Sequence, residues 1–149
     1  MAGKKKASTD KDGAGCLFCD IGARRVAAKI IFEDEISVAF LDHRPLFPGH
    51  VLLIPKEHYR TLPELPAELI GPFFVNAQRL TTAVEAAMKA EGSFVAMNNV
   101  VSQSVPHLHV HIVPRTKGDG LRGFFWPRLK PDEAELLAVH ESISSKSKK

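Results

Sequence analysis

The stretch His107-Leu108-His109-Val110-His111-Ile112-Val113 alternates imidazole and aliphatic side chains without a break. Successive side chains of an extended strand point to opposite faces. The three histidines are therefore expected on one face, with neighbours about 6–7 Å apart. Leu108, Val110 and Ile112 are expected on the other face, buried. Groups that titrate near neutral pH rarely form such a row by chance. On this stretch alone three readings stay open: ligands of a metal, a nucleophile with its helpers, or hydrogen-bonded structural histidines. One flat strand does not bring three imidazoles to a single ion at about 2 Å without bending the backbone. Nucleophilic work asks for less, namely one neutral imidazole aimed at an electrophile and neighbours that orient it and touch the electrophile's oxygens. Phosphorus suits imidazole, because a phosphoramidate is stable enough to form and labile enough to hydrolyse.

On the N-terminal side, Lys29-Ile30-Ile31-Phe32 and Ile36-Ser37-Val38-Ala39-Phe40-Leu41 are β-rich runs separated by Glu33-Asp34-Glu35, which suits a hairpin. A loop with Pro45, Pro48 and Gly49 leads into His50-Val51-Leu52-Leu53-Ile54, closed by Pro55. Residues 66–91 predict the long helix, since Leu69, Phe73, Ala77, Leu80, Val84 and Met88 recur at three- and four-residue steps. Gly92 is expected to stop it, and Pro72 to break or kink its first turn, so that regular helix begins close to Pro72. Phe94 to Asn98 reads as another strand. A short helix is expected from about Pro131, with Leu136, Leu137 and His140 facing inward. These elements predict an α+β domain with a five-stranded antiparallel sheet, one long helix and one short one. It is expected to be a single domain over 16–143, between a disordered Lys-rich tail at 1–15 and a disordered basic tail at 144–149.

With 149 residues, 44% of them hydrophobic, and a mean hydropathy of −0.07, the chain reads as one soluble globular domain. No run approaches the roughly 18 apolar residues of a membrane span. The N-terminus has no hydrophobic segment, so a secretory signal is not expected and the cytoplasm is the default location. The net charge of +3 and pI near 9.0 suggest nucleic acid at first sight. The excess, however, resides in Lys4, Lys5, Lys6, Lys11, Lys146, Lys148 and Lys149, and the body between is slightly acidic. Beyond a weak, salt-sensitive attraction of the tails, nucleic acid is not an expected partner. Cys16 and Cys19, spaced C-x-x-C, suggest metal binding or redox chemistry more than a structural disulfide.

The histidine row resembles the motif of the histidine-triad (HIT) superfamily. Further pieces resemble it in the same order: Cys16-Leu17-Phe18-Cys19-Asp20-Ile21, Ile30 to Glu35, Val38 to Asp42, Gly49 to His58, and Gln103-Ser104-Val105-Pro106-His107. The resemblance covers residues 16–115. It implies a homodimer whose two sheets join into one of ten strands. It also implies a nucleotidyl hydrolase or transferase acting at the α-phosphate of purine nucleotide conjugates, such as phosphoramidates or dinucleoside polyphosphates. In that frame His109 attacks phosphorus to give a nucleotidyl-histidine. His111 contacts the phosphate oxygens and assists the leaving group, and His50 buttresses the site. Gln103 and Ser104 would hydrogen-bond the phosphate or leaving group, with Asn98 or Asn99 as a further contact. Leu17, Phe18, Ile21 and Phe40 would sandwich the base, and Asp42 would accept from the ribose hydroxyls. Cys16, Cys19, His58 and His107 would hold a structural zinc, with no organic cofactor. Trp126 would shape the leaving-group pocket, and Arg115 and Arg122 would reach a polyphosphate. Rival readings are a nucleotide-binding regulatory protein with incidental activity and a metalloenzyme using the three histidines. One departure stands out: Asn98-Asn99-Val100-Val101-Ser102-Gln103 lacks the glycines usual before the triad, so the loop beside the phosphate must be shaped differently.

Overall fold

The short β-branched runs assemble into one antiparallel sheet in the computed structural model, which describes residues 13–121 and 129–147. The strands are β1 (Ile30–Glu33), β2 (Ser37–Leu41), β3 (Val51–Pro55), β4 (Gly92–Ala96) and β5 (Val110–Arg115), in the order β1-β2-β3-β5-β4. The β1–β2 hairpin turns on Asp34. Its Oδ1 accepts the main-chain N–H groups of Ile36 and Ser37 at 3.0 and 2.8 Å and the Ser37 hydroxyl at 3.0 Å. Buried Asn76 donates to Asp34 and, at 2.9 Å, to Ser37. The turn is thereby fastened to the long helix.

That helix, α2 (Ala67–Met88), starts a turn earlier than Pro72 predicts and runs through it. Proline removes one hydrogen bond near the N-terminus, where several amides lack helical partners anyway. The apolar face with Phe73, Ala77, Leu80 and Val84 carries the helix across. Its stop is Lys89 in the left-handed region (φ 51°), not Gly92, which instead opens β4.

Strict alternation divides the sheet between two layers. Ala39, Val51, Leu53, Leu108, Val110 and Ile112 pack against α2. On the opposite face Val38, Phe40, Leu52 and Ile54 pack against Cys16, Phe18 and Ile21, from or beside α1 (Leu17–Gly22). This short helix is absent from the sequence reading, because six residues carry too little periodicity to register. Gly13, which the sequence places in the disordered tail, is buried.

The histidine row is extended for only part of its length. Strand β5 begins at Val110, and register pairs Leu53 with Val110 and Leu52 with His111. Pro106 has no N–H to give a ladder. The His107 N–H goes to the Val105 carbonyl at 2.8 Å and that of Leu108 to the Tyr59 carbonyl at 2.7 Å. His107 thus lies on the bend that leads into the strand, yet Phe18 meets both its ring and that of His109, with centroids 6.1 and 5.1 Å away.

The segment from Gly120 to Lys149 is a separate unit. It carries α3 (Glu133–Ser147), which is longer than predicted and continues into the expected tail. Leu136, Leu137 and His140 do not face inward: all three are exposed on α3. No described helix is long and apolar enough to cross a membrane.

Candidate active site

Beneath α1 the sheet leaves a cavity of about 680 Å³. Leu17, Phe18, Ile21 and Phe40 line its apolar part, and Asp42, Ser104, His109 and His111 line its polar part. Eight residues singled out by resemblance therefore meet in one space. The sequence reading missed Val26, Ala27, Ala28 and His43, which also line it. The small apolar residues of the α1–β1 connection have no periodicity to announce them, and His43 is signalled only by adjacency to Asp42.

The hydrogen bonds fix complementary proton positions on the two cavity histidines. His109 Nδ1–H donates to the His107 carbonyl at 2.7 Å, which leaves Nε2 with a lone pair. The N–H of Leu46 donates to His50 Nδ1 at 3.1 Å, so His50 carries its proton on Nε2 and donates it to His111 Nδ1 at 3.0 Å. His111 consequently keeps its own proton on Nε2. The His109 and His111 rings lie edge to face with centroids 4.9 Å apart. His109 is only 2% exposed yet lines the cavity, with Phe18 edge-on to it at 5.1 Å.

Burial holds all these imidazoles in the neutral form. His109 lies below the ordinary histidine value through desolvation, against the opposing pull of the His107 carbonyl and Asp42. His111 is pushed down to about 4 by burial and by neighbouring His109 and His50. His50 is lowered by burial, with Asp42 opposing. Asp42 is itself braced, its Oδ1 accepting the Arg44 N–H at 2.9 Å. It lies 3.7 Å from His50 Nδ1 and 3.7 Å from His43 Nδ1. Asp42, His50 and His111 are close enough to hold an ion. The proton on His50 Nε2, fixed by Leu46, opposes that use.

His107 belongs to a different cluster. Its Nε2–H donates to the Pro55 carbonyl at 2.8 Å, and its Nδ1 lies 3.4 Å from both Cys16 Sγ and Cys19 Sγ. His58 Nδ1 is 3.3 Å from Cys19 Sγ, and its buried Nε2 finds no partner among the described residues. The donor atoms of Cys16, Cys19, His58 and His107 lie within 4.8 Å of one another. Gly13 closes this cluster at φ +74°, where a Cβ would come within 2.7 Å of Cys19 Sγ. No other side chain fits there. The three histidines of the row do not converge on one ion, which removes the geometric basis of the metalloenzyme reading.

Other expected residues serve the main chain instead of the cavity. Gln103 Nε2 donates to the Arg60 carbonyl at 2.6 Å and Asn98 Nδ2 to the Ser102 carbonyl at 3.3 Å, while Asn99 Oδ1 accepts the Leu62 N–H at 2.8 Å. None of the three lines the cavity. The Arg115 guanidinium grips Asp119 through two bonds, of 2.6 and 3.0 Å. Trp126 and Arg122 lie outside the described residues.

The HIT domain model matches residues 23–118, and the chain belongs to the HIT family. Adenosine 5′-monophosphoramidase of Schizosaccharomyces pombe is 34% identical over 135 residues, covering 89% of this chain and 98% of that one. Bis(5′-nucleosyl)-tetraphosphatase (asymmetrical) of the same organism is 29% identical over 118 residues, 77% of this chain and 65% of its own. Among solved structures, the Streptococcus mutans protein SMU.412c superposes with a TM-score of 0.85 at 31% identity, covering 99% of this chain and 95% of that one.

Proposed function

We propose that the protein hydrolyses purine nucleotide conjugates at the α-phosphate, with nucleoside phosphoramidates as the favoured class and dinucleoside polyphosphates as the alternative. The observation that carries this reading is the pair of opposite tautomers. At one end of an apolar cavity, a bare His109 Nε2 stands beside an Nε2–H of His111. His109 Nε2 attacks phosphorus, the P–N or P–O bond to the leaving group breaks, and a nucleotidyl-histidine forms. Water then cleaves the P–Nε2 bond. The departing amine takes its proton from His111 Nε2–H, and the attacking water later returns one to that nitrogen, so each half balances. His111 Nε2–H and the Ser104 hydroxyl donate to oxygens on which charge develops. The base occupies the space between Phe18, Ile21 and Phe40, and Asp42 accepts from the ribose hydroxyls.

We also place a structural zinc on Cys16, Cys19, His58 and His107. Two thiols and two imidazoles are a donor set that zinc favours. Bound there, the ion would tie α1 to the sheet and supply no chemistry at phosphorus. A homodimer completes the reading, and mass measurement in solution tests it. The decisive experiment incubates the protein with an adenosine phosphoramidate and a diadenosine polyphosphate, quenches rapidly, and maps the nucleotidylated residue. Label on His109 is expected, and label elsewhere refutes the mechanism. A nucleotide-binding regulator would instead bind purine monophosphate without turnover.

A further inference from the structure

Val100 and Ser102 hold φ of 68° and 61°, a region that a β-branched valine enters only when its surroundings impose it. Packing does not impose it, since Val100 and its neighbour Val101 are 66% and 78% exposed. Polar contacts do. Gln103 Oε1 accepts the Val100 N–H at 3.1 Å, and Gln103 Nε2 donates to the Arg60 carbonyl at 2.6 Å. Both ends of one amide are thus engaged by main chain, one in the loop and one in the segment that follows His58. The bond from Leu62 N–H to Asn99 Oδ1 joins the same two segments. Immediately downstream, Ser104 and Val105 line the cavity, and the Val105 carbonyl accepts the His107 N–H.

We propose that Gln103 is a positioning residue. Its amide clamps the strained 98–102 loop onto residues 60–62 and so sets Ser104 and, through Val105 and the His107 carbonyl, the orientation of His109. It takes this role in place of a direct bond to phosphate or leaving group. The turnover part of the test rests on the function proposed above.

The test compares wild type, Gln103→Ala, Val100→Gly and the double variant on two adenosine phosphoramidates, one with a small alkyl amine and one with an aromatic amine. Gln103→Ala is expected to lower kcat about tenfold, with KM moving less and both amines affected alike. Val100→Gly alone stays within about twofold of wild type, because glycine occupies positive φ freely. In the double variant it restores a large part of the loss, as it removes the strain the amide no longer holds. Exchange of the Val100 amide, read by NMR, accelerates in Gln103→Ala whether or not the protein turns over substrate. A failure of the clamp and a failure of the functional reading are therefore distinct results. If Gln103→Ala does not fold, Gln103→Glu keeps the acceptor for Val100, loses the donor to Arg60, and is expected to show the same pattern. Unchanged Val100 exchange overturns the proposal. So does a loss that Val100→Gly leaves untouched and that differs between the two amines.

Discussion

Withdrawing the ion proposed for Cys16, Cys19, His58 and His107 has an effect whose size follows from the geometry. A tetrahedral zinc with Zn–S about 2.3 Å and Zn–N about 2.0–2.1 Å separates adjacent sulfur and nitrogen ligands by roughly 3.5 Å. The separations are 3.4 Å from His107 to Cys16, 3.4 Å from His107 to Cys19, and 3.3 Å from His58 to Cys19. Across these three pairs zinc therefore enters with little movement of the chain. Without a cation, burial and the neighbouring Cys16 push the Cys19 thiol up to about 12, so metal must displace protons and affinity falls as pH falls. An ion that binds only the folded chain adds about 4 kcal/mol when present at a thousand times its dissociation constant. For a chain of 149 residues that corresponds to a melting shift on the order of 10 °C. Elemental analysis is expected to find one zinc per chain, and none in Cys16→Ser/Cys19→Ser. Calorimetry before and after chelation reads the shift. A fully stripped protein that melts at the original temperature, or a doubly substituted one that retains its zinc, refutes the reasoning.

His109→Asn should abolish turnover while purine monophosphate still binds, and calorimetric loss of that binding would argue against a purely chemical role. Because burial holds His109 below the ordinary histidine value of 6.5, its neutral form survives into mild acid. The acid limb of kcat/KM is then expected to have its midpoint below 6.5, and a midpoint above 7 would contradict the assignment. Asp42→Asn should raise KM for ribonucleotide conjugates by roughly ten- to a hundredfold, on the scale of a charge-assisted hydrogen bond. It should leave the 2′,3′-dideoxy analogues little changed, and equal losses on both would remove the ribose contact. Phe73, fully buried between α2 and the sheet, should cost about 3–5 kcal/mol when cut to alanine. Urea unfolding checks this, and a loss under 1 kcal/mol would displace it from the core.

Much of the fold was legible because its elements follow simple periods. Leu108, Val110 and Ile112 went to the buried face as alternation requires, and Phe73, Ala77, Leu80 and Val84 marked the inner face of α2. Less legible was whatever depends on contacts distant in sequence. Nothing within His107-Leu108-His109 reveals that the first ring turns to the thiols, since that depends on Pro106 and on the Tyr59 and Pro55 carbonyls. Pro72 misled because its local cost is visible in sequence and the packing that offsets it is not. Gly13 read as tail because the chain around it is polar, although its neighbours Cys19 and His58 fill the space where a side chain would go. Gln103 and Asn98 were assigned to substrate by resemblance, yet in this glycine-poor loop their amides serve the main chain. The tail reading at 144–149 failed in part because Ser and Lys composition does not forbid the last turn of a helix already under way.

The nucleophile proposed at His109 leans on peptide, not on a side chain: the oxygen that accepts its Nδ1 proton belongs to the backbone of residue 107. Every amino acid brings that oxygen, so no exchange at 107 can delete it. What an exchange can do is swing it aside by altering how the 105–107 bend sits. Inheritance of that tautomer is thus a matter of local curvature, and damage to it would arrive as a bent chain instead of a missing group.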